Sequence, residues 1–199
     1  MIRRVSRRRL GILAVMGMGL AGCATSIPQE VGRAPNEDEQ RIIDTFAPQV
    51  VAAARQEGFA CATVTFAMAD LRQDSLLSIA RPSLNRCAFF IKVSTHYLRT
   101  DPPVALAGTL AHELGHVIDG DWTPGRARVV QIDRERQADA VAIRILKRIG
   151  MAECLAQVER FRKTRAENIR AWGMEQRDTI TTHPSYTERI KTFEAGCRQ

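Results

Sequence analysis

The sequence predicts an α+β domain in which a small mixed sheet packs on one central helix and further helices. Two observations lead there. Long stretches carry apolar side chains at three- and four-residue spacing, the period of a helix with one buried face. Three short β-rich runs, all before residue 95, are separated from them by polar segments rich in turn-forming residues.

The elements follow in chain order. Residues 1 to 9 carry Arg3, Arg4, Arg7, Arg8 and Arg9, and residues 10 to 22 form an apolar run too short to cross a bilayer as an ordinary helix. That is the pattern of a signal peptide. Its end, Leu20-Ala21-Gly22-Cys23, resembles the bacterial lipobox, which implies that Cys23 is diacylated and becomes the first residue of the mature chain. Alanine at position 24 fits outer-membrane sorting, so the expected location is the cell envelope, lipid-anchored to the outer membrane and facing the periplasm. Residues 23 to 36 read as a tether, leaving 37 to 199 as the folded domain.

Asn36, Glu37, Asp38 and Glu39 open a first helix, to about residue 57, with acidic side chains where the N-terminal amides favour them. Ile42, Ile43, Phe46, Val50 and Ala54 form its apolar stripe, and Gly58 ends it. Residues 61 to 68, 76 to 79 and 87 to 94 are the strand candidates, with Val64 and Phe66 sharing a face. Pro102 and Pro103 suit a helix start that Asp101 caps. This helix, from about 103 to 118, faces the core with Leu106, Leu110, Leu114 and Val117. After a loop at 119 to 126, a helix over about 130 to 149 packs through Ala138, Val141, Ala142, Ile145 and Leu146. A charged helix from 152 to 172, half solvent-facing, precedes a polar turn at 178 to 184 and a last helix over 185 to 194.

The formal charge of +7 shrinks once the signal is removed. Five of the 29 basic side chains lie in it, leaving 24 against 22 acidic ones. No basic tract remains for nucleic acid. Four cysteines also remain, and an even number in an exported chain suggests two disulfides with three possible connectivities. The favoured pairs are Cys61 with Cys87 and Cys154 with Cys197; free buried thiols are the alternative.

The chemistry concentrates in His112-Glu113-Leu114-Gly115-His116. Two imidazoles four apart share one helix face and reach one ion, while the carboxylate between them serves as general base. The next helix offers Glu135 and Asp139 at the same spacing. A chance match on a charged helix is the alternative, but the apolar context before His112 suits a buried site.

With these residues and Thr182-His183-Pro184-Ser185 followed by Arg189, the chain resembles the M48 family of zinc metallopeptidases, which are gluzincins. Residues 85 to 97 resemble that family's edge-strand segment, so the likeness covers roughly 85 to 193. The resemblance implies a zincin-like metallopeptidase domain holding one Zn2+ through His112, His116 and Glu135. It further implies Glu113 as general base, His183 as an active-site histidine facing the metal, Asp139 orienting a ligand imidazole and Arg189 supporting the loop or adding positive field. Taken alone, His183 is a turn histidine beside proline and Arg189 an arginine on a solvated helix. The expected substrate is an extended polypeptide added as a strand along residues 89 to 94, from unfolded or accessible envelope proteins. A regulatory envelope partner is also admitted. The contrasting expectation is a latent or non-catalytic scaffold lipoprotein.

Overall fold

The computed structural model describes residues 32–60, 63–69, 78–80, 88–120, 131–173 and 183–199. The signal peptide, Cys23, most of the tether, the Cys61 with Cys87 pairing and the loop after residue 120 therefore lie outside the described residues. What is described is a small, mostly helical domain with a minor open sheet packed against helices.

Helix α1 (Glu37–Gln56) starts on a reciprocal cap: the Asn36 side chain accepts from the Glu39 amide, and Glu39 accepts from the Asn36 amide. Glu39 also takes both guanidinium nitrogens of Arg33 at 2.7 Å, although it is itself buried. Its expected stripe is buried, with Ile42 packed at the margin. Glu57, just past the helix, accepts from Arg144 and Arg148 and so ties α1 to a later helix.

Strands β1 (Thr63–Ala69), β2 (Ser78–Ala80) and β3 (Ala88–Ser94) form a mixed sheet in the order β1-β3-β2. β1 runs parallel to β3, with Phe66 opposite Ile91, and β2 runs antiparallel to it, with Ile79 opposite Ile91. This corrects one expectation. Residues 89 to 94 are the middle of the sheet rather than its edge, since β2 occupies the ladder side at Phe90–Lys92 where a substrate strand was expected. Their apolar alternation reflects burial on a sheet face: Phe89, Ile91 and Val93 join the core with Met68.

β3 runs directly into a one-and-a-half-turn helix, α2 (Thr95–Thr100), which the periodicity did not reveal, and then into α3 (Pro103–Asp119). Pro102 is the N-cap residue of α3, and no side chain caps it. Asp101 was expected there; its carboxylate instead accepts from Arg160 at 2.9 Å. Gly120 closes α3 in the left-handed region at φ 74°, its amide donating to the His116 and Val117 carbonyls.

Helix α3 is the centre of the domain, packed by α1, by α4 (Gln131–Ile149) and by α5 (Met151–Trp172). Its small residues let neighbours approach closely. A methyl on Gly115 would stand 2.6 Å from the Ala138 carbonyl oxygen of α4, so only glycine permits this contact. Helix α6 (Tyr186–Arg198) lies on α4 and α5 and is tied to α5 by a Cys154–Cys197 disulfide, the second of the expected pairs. Among the described residues no helix is long and apolar enough to cross a membrane.

Candidate metal centre

The close α3–α4 contact at Gly115 sets the site. His112 and His116, one turn apart on α3, face Glu135 and Asp139, one turn apart on α4. His112 Nε2 lies 3.1 Å from Glu135 Oε2, His116 Nε2 lies 3.4 Å from the same oxygen, and the two Nε2 atoms are 3.2 Å apart. The three residues therefore present one ligand atom each to a common point, all within 4.8 Å of one another. Donors bound at zinc–ligand distances to one tetrahedral ion stand roughly 3.3 Å apart, so the spacing fits such an ion.

The tautomer of His112 supports that fit. Its Nδ1 lies 2.8 Å from Asp139 Oδ1, and Asp139 is held ionised because the Arg189 charge and the His112 contact outweigh its burial. A carboxylate can only accept, so Nδ1 carries the proton and donates it. When the ring is neutral, Nε2 is then left with a lone pair aimed at Glu135 and His116. Glu135 Oε2 is buried without a partner in hydrogen-bonding geometry. A buried carboxylate oxygen ringed by imidazole nitrogens calls for cations: protons on the rings, or a metal ion in their place. Without the metal, burial pulls the His112 pKa down, but Asp139 and Glu135 outweigh it and raise it to about 9. Glu135 is held below the usual carboxylate range because contacts with His112 and His116 override the effect of burial. Metal binding must therefore displace protons.

Set against known proteins, the chain matches no family model, no curated protein and no solved structure. The site stands on its own geometry.

Glu113 shares the α3 turn with the histidines, and burial raises its pKa to about 7 against the attraction of both rings. His183 precedes α6; its Nε2 lies 3.2 Å from Glu135 Oε2, and its ring centroid is 6.4 Å from that of His112. It is the open side of the site, with a side chain 42% exposed against 8% for His112. Arg189, on α6, grips Asp139 through Nε to Oδ2 at 2.8 Å and Nη2 to Oδ1 at 2.6 Å. Sequence reasoning gave it a supporting place but not this partner. It reaches the metal-facing histidine only through Asp139, and it lies over the Phe161 ring at 4.3 Å.

Arg160 is a residue that the sequence reading passed over. On a helix dense in charge it looks solvated, yet it donates to Asp101 and to Thr109 on α3, and it stacks on Tyr97 at 4.6 Å. A partner set drawn from α2, α3 and α5 leaves no periodic signal by which sequence could have found it.

Proposed function

We propose that the chain is a zinc-dependent endopeptidase of the zincin type, similar to the M48 metallopeptidases, acting on unfolded or accessible polypeptide segments of the cell envelope. The observation that carries this reading is the convergence of His112 Nε2, His116 Nε2 and Glu135 Oε2 on one point beside Glu113. Three protein donors leave a fourth position for water, the mark of a catalytic rather than a structural site. Zinc, when bound, supplies a Lewis acid for the scissile carbonyl and acidifies water at neutral pH. Glu113 accepts the proton of the attacking water and returns it to the departing amine. Asp139 fixes the His112 ring by accepting from Nδ1, and Arg189 balances the Asp139 charge. His183, at the open side, donates to the oxyanion that develops on the substrate. The N-terminal signal and Cys23 support delivery to the envelope and a lipid anchor there.

The test is a Glu113→Gln variant of the zinc-loaded protein. It should keep stoichiometric zinc and lose hydrolysis of an unfolded protein; hydrolysis equal to that of the native chain would sink the general-base assignment. A second reading, a latent site, is favoured by the His183 Nε2 only 3.2 Å from Glu135 Oε2, near enough to act as a further donor. His183→Ala separates the two. Its hydrolysis rate falls if His183 serves the oxyanion and rises if His183 blocks the site.

A further inference from the structure

We propose that the outer face of α5 is a docking surface for an anionic lipid bilayer. All four of the exposed large hydrophobic side chains found among the described residues lie on this one helix: Met151, Leu155, Ile169 and Trp172. They are separated by four, fourteen and three residues, close to whole numbers of turns, so they form a stripe along one side. The helix is about 33 Å long at 1.5 Å per residue, and the stripe runs its whole length.

The inner face is already committed. Cys154, Gln157, Val158 and Phe161 are its buried residues, all in the first half, so no residue after Phe161 is buried. The second half thus stands out from the core with Ile169 at 39% and Trp172 at 56% exposure. A soluble helix ordinarily turns such side chains inward. Over the same stretch, residues 163–173, the charges are Lys163, Arg165 and Arg170 against the single acid Glu167. Lys163, Ala166 and Arg170 are exposed, and helical spacing puts Glu167 on the side away from Ile169.

Charge complementarity selects the occupant. Basic side chains interleaved with a sparse apolar stripe match an interfacial helix lying on anionic headgroups, where tryptophan settles at the polar–apolar boundary. Four separated apolar side chains fall well short of the continuous patch that a stable protein interface buries. The surface would hold the domain flat against the membrane, which an acyl chain on a flexible tether cannot do.

The test uses the chain from residue 23 onward with Cys23→Ser, which removes no described element and takes lipidation out of the comparison. Trp122, the other tryptophan, is replaced by phenylalanine so that fluorescence reports Trp172 alone. Adding vesicles of phosphatidylglycerol with phosphatidylethanolamine should shift Trp172 emission to the blue and float the protein, whereas phosphatidylcholine vesicles should not. Trp172→Ser, and separately Lys163→Glu with Arg170→Glu, should each weaken vesicle binding about tenfold or more. Zinc stoichiometry and near-ultraviolet circular dichroism serve as the controls for folding. The proposal is overturned if Trp172 is unmoved by anionic vesicles, if the charge reversals leave binding intact, or if the blue shift instead follows protein concentration through dimer formation.

Discussion

At Asp139 one carboxylate accepts the Nδ1 proton of His112 and both prongs of Arg189, so its removal frees a ring and strands a buried guanidinium at once. Two separable effects are expected of Asp139→Ala. Zinc affinity should fall about 10- to 100-fold as the imidazole loses its orientation. Folding stability should drop by about 3–5 kcal/mol from the unpaired Arg189 charge. Glu135→Ala should go further in metal binding, abolishing it at concentrations where Asp139→Ala still binds; competition with a chromophoric chelator measures both. At this scale the sequence was most legible where chemistry and spacing coincide within one helix, as at His112 and His116. It was least legible where a side chain reaches another element. Arg189 was assigned a field at the loop, and only the fold shows that its charge is spent on Asp139.

Gly115 decides how near α3 and α4 can stand, because a methyl there would meet main-chain oxygen at 2.6 Å rather than a side chain able to turn aside. Gly115→Ala should therefore push α4 away, carrying Glu135 and Asp139 with it. The expected result is a loss of zinc affinity with both histidines and both carboxylates still present, read by metal titration alongside helical circular dichroism. At the N-terminus of α1, Asn36→Ala removes an acceptor for the Glu39 amide and should cost about 1 kcal/mol in chemical denaturation. Long helices were legible because their buried stripes repeat several times, as Leu106, Leu110, Leu114 and Val117 do along α3. α2 is too short to show a period. The neighbours of β3 were also illegible, since alternation reports which face is buried and not which strand lies beside it.

Across the whole molecule, the disulfide links residues 43 apart in sequence and joins the first turn of α5 to the end of α6. Loop-closure entropy for such a span is about 4 kcal/mol, so reduction should lower the denaturation midpoint markedly without changing the native helical signal. Acid is the second general stress. The Glu39 pKa is lowered from 4.5 to about 2, foremost by the hydrogen bond from Arg33. A depressed carboxylate stabilises the fold fully above pH 4.5 and loses that contribution as pH falls through about 2. The native chain should thus lose stability steeply over that interval, and Glu39→Gln less so; parallel slopes from urea titrations at stepped pH would remove Glu39 from the account. Cysteine parity and export context made the Cys154–Cys197 bond legible, whereas nothing in the primary pattern marked Arg33 as the partner of Glu39.

The bidentate hold of Arg189 on Asp139 also has a meaning in time. A chain made from its N-terminus acquires His112, Glu113, His116, Glu135 and Asp139 well before Arg189 and Cys197. Until α6 arrives, three carboxylates crowd one another without their buried counter-cation, and α4 has no reason to settle against α3 in its final place. The cutting machinery is thereby assembled last, by the final segment to be synthesised, so a nascent or C-terminally clipped chain is left harmless to its surroundings.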